Sequence, residues 1–209
     1  MITVNKLTEI EPLLRDISVV IFDLDDTLYP EKEYVRSGYR AIAKQTPEIE
    51  NMEEKLWRVF ENGGAAIDEV LKNEGIFSEE KKQECLKTYR FQVPEIFMYE
   101  DAKQLLIKLK SKGVSTGIIT DGRVEGQRAK IKALEIEKYI DYIIITDELG
   151  GPVFRKPNEK AFVIMQEHFG VPFGEMVYIG DNPQKDFIAP QKLGMKAIYF
   201  MNKDGIYNK

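Results

Sequence analysis

The residues best suited to chemistry are the acids that close the run VVIFDLDDTL at positions 19–28. Asp23, Asp25 and Asp26 follow four apolar residues at once. Acids packed at a strand end repel one another, and a bound cation relieves that repulsion. A solvated turn is the plainer alternative, because Asp favours strand ends. Further polar groups recur at the ends of later apolar runs. Thr120 closes GVSTGIIT and is followed by Asp121. Lys156 lies in a loop bounded by Gly151 and Asn158, and Gly180-Asp181 is followed five residues on by Asp186. Carboxylates, a hydroxyl and an ammonium group converging on one crevice would suit Mg²⁺ and a phosphoryl group. Hard oxygen ligands favour the ion, while Lys and Thr can bind the remaining phosphoryl oxygens.

These residues need elements that bring them together. Residues 18–23 read as a strand buried on both faces, preceded by a short helix over residues 7–15 with Thr8 as a candidate N-cap. From residue 31 the periodicity turns helical for about sixty residues, in four amphipathic stretches broken by Gly and Pro, as in a small helical bundle. From Tyr99 onward helices alternate with strands. Helices are expected over 102–109, 124–134, 158–169 and 184–193, and strands over 114–120, 142–146, 176–180 and 195–200. That alternation predicts an α/β fold, a parallel sheet with helices on both faces. Ligands of such sheets bind beyond the carboxyl ends of the strands, where the polar residues fall. Residues 202–209 read as a surface tail.

Composition narrows the function classes. The 209 residues carry a net charge of −5, which disfavours a nucleic acid polymer or an anionic membrane as partner. Cys85 is the single cysteine, so no internal disulfide can form. No apolar run approaches the ~20 residues of a membrane span, and the first residues lack a signal-peptide core. A cytoplasmic location is expected.

In its order of motifs the chain resembles the haloacid-dehalogenase-like hydrolase superfamily. The match rests on Asp23-Leu24-Asp25-Asp26-Thr27, Thr120 after an apolar strand, Lys156, and Gly180-Asp181 with Asp186. It extends from about Ser18 to Phe200. The resemblance implies a Rossmann-like core over residues 1–30 and 96–209, with a helical cap inserted over 31–95. It implies Asp23 as nucleophile forming an aspartyl-phosphate, and Asp25 as acid for the leaving alcohol and then base for water. Thr120, the backbone N–H of Asp121 and Lys156 would bind the phosphoryl group. Mg²⁺ would be held by Asp23, the Asp25 backbone carbonyl, Asp181 and Asp186. Family dehalogenases generally lack an acid at the position of Asp25, so phosphate chemistry is favoured here. The expected function is hydrolysis of a small phosphorylated metabolite. Alternatives are a phosphomutase, a receiver-like phospho-acceptor and a catalytically silent binding protein.

Other residues are weighed against structural roles. Tyr34, Arg36, Tyr39 and Arg40 open the helical insert and are candidate substrate contacts. Arg123 and Arg155 are candidate anion ligands or solvated cations. Asp26 reads as structural or solvent-facing, and Thr27 as bonding locally in its turn. Trp57 and Cys85 read as packing residues, and His168 as a helix-end residue.

Overall fold

The computed structural model describes residues 1–206. Their contacts divide the chain into two compact units, one formed by Met1–Glu31 with Phe97–Lys209 and the other by Lys32–Ile96.

The first unit is built on a six-stranded parallel sheet. Its strands are β1 (Ile2–Val4), β2 (Val19–Phe22), β3 (Ser115–Thr120), β4 (Tyr142–Ile145), β5 (Met176–Gly180) and β6 (Lys196–Phe200), in the order β1-β6-β5-β2-β3-β4. This is a Rossmann-like α/β fold. β2 and β5 are buried along their whole length, as their unbroken apolar sequences require. The helices are α5 (Glu100–Ser111), α6 (Val124–Ala133), α7 (Lys160–Phe169) and α8 (Ile188–Lys192), numbered after the four of the second unit. Val19, Ile21, Ile119, Ile144 and Tyr178 pack with Phe162 and Met165 of α7 and Ala189 of α8 in one core layer. The alternate residues Val20, Phe22, Ile118 and Ile179 are also buried, so neither face of the central strands meets solvent. The chain runs outward from β2 through β3 to β4, then returns to place β5 on the other side of β2. Such a reversal opens a crevice at the carboxyl ends of β2 and β5.

The second unit is helical, with α1 (Glu31–Gln45) entering it, followed by α2 (Met52–Glu61), α3 (Ala66–Asn73) and α4 (Glu79–Arg90). Ser78 caps α4 by accepting the Lys81 N–H at 3.1 Å. Its interior is aromatic: Tyr39 packs edge-on to Phe60, and Tyr34 edge-on to Tyr89 with ring centres 5.7 Å apart. Among the described residues, no helix is long and apolar enough to cross a membrane.

Three sequence expectations are corrected, and one strand goes unforeseen. Residues 7–15 form two short 3₁₀ turns, Leu7–Glu9 and Glu11–Leu13, rather than one helix; Pro12 lacks the N–H that an α-helix would use, and Lys6, not Thr8, precedes the first turn. β1 escapes a periodicity reading because it is a three-residue edge strand with Ile2 half exposed. The helix expected over 184–193 begins only at Ile188, because Asn182–Asp186 is drawn into a tight turn by Asn182 N–H donating to Asp186 Oδ2 at 2.9 Å. Residues 202–206 are no loose surface tail. Asn202 is buried and donates to the Asp26 carbonyl at 2.7 Å, and Ile206 N–H donates to Asp26 Oδ2 at 2.7 Å. Residues 207–209 of that expected tail lie outside the described residues.

Candidate active site

The turn after β2 separates the two acids that the sequence places almost side by side. Asp23 still belongs to the sheet ladder, its N–H donating to the Ile179 carbonyl at 2.8 Å. Asp26 then takes a left-handed backbone conformation with φ 53°. Its carboxylate accepts Glu31 N–H at 2.9 Å as well as Ile206 N–H, so Asp26 braces the turn. Asp23 and Asp25 thereby enter different clusters.

The first cluster centres on Lys156. Its Nζ lies 2.8 Å from Asp23 Oδ1 and 2.8 Å from Asp186 Oδ1, and donates to the Tyr178 hydroxyl at 2.7 Å. An ammonium group has three protons, and these three oxygens surround it. The Lys156 side chain is wholly buried, so the carboxylates are needed to hold its charge. Burial alone would lower the Lys156 pKa, but Asp186 and Asp23 outweigh it and drive the value well above the ordinary one. Asp181 completes this region. Ligand oxygens of Asp23, Asp181 and Asp186 all lie within 4.8 Å of one another. Asp181 Oδ1 accepts from Thr27 Oγ1 at 3.3 Å, so Thr27 reaches across to β5 instead of bonding within its own turn. Asp181 Oδ2 is buried without a hydrogen-bond partner. Burial, with Asp23 and Asp186 nearby, pushes Asp181 up to about 8. Burial likewise raises Asp23, to about 6, against the pull of Lys156 and with Asp186 adding to the rise. An orphaned carboxylate oxygen among crowded, desolvated acids fits a divalent cation, and the donor set is all oxygen. The close approach of Asp186 also explains Gly180, where an added Cβ would fall 2.5 Å from Asp186 Oδ2.

The second cluster centres on Asp25. Lys130 Nζ lies 2.7 Å from Asp25 Oδ1, and the Tyr29 hydroxyl donates to the same oxygen. Gln127 Nε2 donates to Asp25 Oδ2 at 2.8 Å and also to Thr120 Oγ1. Burial would raise the Asp25 pKa, but the Lys130 ammonium and the hydrogen bonds from Lys130, Tyr29 and Gln127 hold it below the ordinary carboxylate range.

A third set of bonds ties the loops together. Asp121 Oδ1 accepts from Thr146 Oγ1 at 2.9 Å and from the Lys156 N–H at 3.1 Å, while Lys185 Nζ lies 3.3 Å from Oδ2. The Asp121 side chain thus locks the strand end of β3 to the loop that carries Lys156.

Asp23, Asp25, Thr120, Asp121, Lys156, Asp181 and Asp186 are therefore gathered at the carboxyl ends of β2, β3 and β5. The other candidates have different surroundings. Arg123 is exposed at the start of α6. Arg155 forms a two-point pair with Asp147, with Nε–Oδ1 and Nη2–Oδ2 both 2.7 Å. In the helical unit, Arg36 bonds Glu53 at 3.1 Å and lies over the Trp57 ring, while Arg40 pairs with Glu53 and Glu95. Tyr34 and Tyr39 belong to that unit's aromatic interior. His168 stacks on Tyr142, and Cys85 is buried and free. Sequence reasoning missed Gln127, Lys130, Tyr29 and Tyr178. The first two carry a signal, since they stand three apart on the helix that follows Thr120 and so share one face.

The family model described as haloacid dehalogenase-like hydrolase matches residues 20–200. Glyceraldehyde 3-phosphate phosphatase of Methanopyrus kandleri is 29% identical over 196 residues, covering 87% of this chain and 83% of that protein. The protein of the same name from Pyrococcus abyssi is 30% identical over 204 residues, covering 88% and 81%. Among solved structures, a haloacid-dehalogenase-superfamily hydrolase of subfamily IA from Geobacter sulfurreducens superposes with a TM-score of 0.66 at 20% identity, over 88% of this chain and 87% of that one.

Proposed function

We propose the reaction of this protein from one premise, that the chain belongs to the haloacid dehalogenase-like hydrolase family. It is a Mg²⁺-dependent phosphatase that hydrolyses a small phosphomonoester through an aspartyl-phosphate on Asp23. The observation that carries this reading is the separation of Asp23 and Asp25 into two clusters, one able to hold a cation and one holding a carboxylate ready for proton transfer. The two carboxylates sit in different fields, Asp23 raised by burial and Asp25 lowered by the Lys130 ammonium, so they need not act alike.

Asp23, Asp181 and Asp186, with the Asp25 backbone carbonyl, would hold Mg²⁺. The ion would supply the positive charge that lets a carboxylate approach an anionic phosphate. The chain's own residues do the rest. Lys156 fixes the Asp23 carboxylate by its 2.8 Å contact and offsets charge on the phosphoryl oxygens. Thr120 binds one of those oxygens through its hydroxyl. As Asp23 attacks phosphorus, Asp25 passes a proton to the departing alcohol oxygen; it then takes a proton from the water that attacks the phosphoenzyme. The ionised state favoured by Lys130 suits the second half. The first half is helped by the arriving phosphoryl charge, which raises Asp25 toward protonation. Lys32–Ile96 serves as a cap that sets substrate choice, and the remainder is the catalytic core. The names of the archaeal relatives support a short phosphorylated aldehyde or sugar as substrate class, and a cytoplasmic location accords with such metabolites.

Asp23→Asn tests the mechanism. Phosphate release from a panel of sugar and triose phosphates, nucleotides and short acid phosphates should require Mg²⁺, stop with chelator and vanish in this variant. Normal turnover by Asp23→Asn would overturn the nucleophile. Isomerised product without free phosphate would point instead to a mutase.

A further inference from the structure

We infer that Gln127 and Lys130 of α6 are positioning residues for the reaction, coupling the leaving-group acid to the phosphoryl-binding hydroxyl. The inference rests on the phosphatase reading above. The two side chains are buried on one face of a helix whose neighbouring Arg128 and Lys132 are exposed. A buried lysine needs an anion, and the anion here is Asp25, 2.7 Å away. A purely structural pair would need nothing more. Gln127 adds what structure alone does not require.

The Gln127 amide nitrogen carries two protons, and both are used, one on Asp25 Oδ2 and one on Thr120 Oγ1. Because Thr120 Oγ1 accepts from Gln127, the hydroxyl's own proton is left to be donated. Donation is the polarity that a phosphoryl oxygen requires. The same amide holds the second oxygen of Asp25, while Lys130 and Tyr29 hold the first. One helix face thus fixes both the direction of the Thr120 hydroxyl and the plane of the Asp25 carboxyl.

The proton that this arrangement aims can be followed. The bond from Asp23 oxygen to phosphorus forms as the bond from phosphorus to the ester oxygen breaks. The ester oxygen takes the Asp25 proton and leaves as the alcohol, and Asp25 is left as a carboxylate facing Lys130. When water attacks the phosphoenzyme, Asp25 recovers a proton from it and the Asp23–phosphorus bond breaks.

A leaving group that needs no proton makes the role visible. Turnover of glycerol 1-phosphate, an alkyl ester, is compared with that of p-nitrophenyl phosphate, whose phenolate departs unprotonated. Lys130→Met should lose about 10²-fold in kcat on the alkyl ester while changing kcat on the aryl ester and both KM values by less than about threefold. Gln127→Leu should lower the alkyl-to-aryl ratio by about tenfold or more, and it removes no buried charge, so it carries the test if Lys130→Met fails to fold. An unchanged alkyl-to-aryl ratio in folded variants would overturn the coupling to Asp25, and unimpaired turnover of the aryl ester by Gln127→Leu would overturn the coupling to Thr120. Asp23→Asn run in parallel keeps the two readings apart. Its loss of turnover on both esters together with an unchanged ratio in the α6 variants sinks only the inference about α6, whereas its continued turnover sinks the phosphatase reading itself.

Discussion

The site contains two buried lysine–aspartate pairs that look alike in a list of contacts and behave in opposite ways. Lys156 lies 2.8 Å from Asp23, and Lys130 lies 2.7 Å from Asp25. Yet Asp23 is pushed up to about 6 while Asp25 is held below the ordinary range. The difference lies in what else each group must satisfy. Lys156 is shared between Asp23 and Asp186, so its charge is divided over two acids, and the pair is wholly desolvated. Lys130 sits 2.7 Å from Asp25, which receives two further donors and keeps some solvent access. Even the phenols are reversed: Tyr178 accepts from its lysine, whereas Tyr29 donates to its aspartate. Distance between charges therefore says little by itself. The number of donors per carboxylate and the depth of burial decide which group stays ionised.

The most severe way to break this contrast is to remove Lys156. Lys156→Ala leaves Asp23 and Asp186 facing each other in a buried site without their cation. Stability should fall by about 3–5 kcal/mol, read from denaturant unfolding, because an uncompensated buried charge remains. The rate should fall about 10²–10³-fold at saturating Mg²⁺, by analogy with losing one preorganised electrostatic donor. A rate loss under about threefold would place Lys156 outside the chemistry.

How much of the two clusters the sequence discloses differs just as sharply. Asp23, Thr120 and Asp181 announce themselves because each ends or follows an apolar run, and strand ends are where parallel sheets place ligands, while Lys156 and Asp186 stand out only through their place in the ordered motifs. Lys130 and Gln127 announce themselves less, because their three-residue spacing shows a shared helix face but not whether that face meets solvent or a carboxylate. Tyr29 and Tyr178 are hidden for a related reason: in an apolar run a phenol reads as a ring, and only the fold shows where its hydroxyl points. The sheet and the four-helix insert were legible from periodicity, which follows burial. The 3₁₀ turns before β2 and the bonding of Asn202 to the Asp26 carbonyl were not, since single long-range hydrogen bonds leave no period.

The contrast sharpens with pH in the metal-free protein. Asp23 and Asp181 have folded values of about 6 and about 8, against an ordinary 3.8. Between these limits the folded chain binds more protons than the unfolded chain, so stability falls as pH rises. The contribution of these two groups is fully present below about pH 4 and is lost as pH rises through the two folded values. A divalent cation binds the ionised carboxylates and removes the penalty. The stabilisation on adding Mg²⁺, read from denaturant unfolding, should therefore grow from about pH 5 to about pH 8, reaching about 2.7 kcal/mol when free ion is about a hundredfold above Kd. Asp25 adds nothing between about pH 5 and about pH 8, because its lowered value places its titration below that window. A Mg²⁺ shift independent of pH would mean that the crowded acids do not hold the ion.

The smallest effects come from the reversed phenols, and they ask the most of the comparison. Tyr178→Phe removes an acceptor from a buried ammonium and leaves one N–H without its partner, a loss of about 1–3 kcal/mol. Tyr29→Phe removes a donor from a carboxylate that keeps Lys130 on the same oxygen and Gln127 on the other, so the loss should be about 1 kcal/mol or less. Both rings are fully buried and neither change alters volume by more than a hydroxyl, so packing does not distinguish them. Denaturant midpoints of the two variants at constant slope measure the difference directly. If Tyr29→Phe were the more damaging, the further donors on Asp25 would not make its phenol dispensable, and the donor-sharing account of the two pairs would fail.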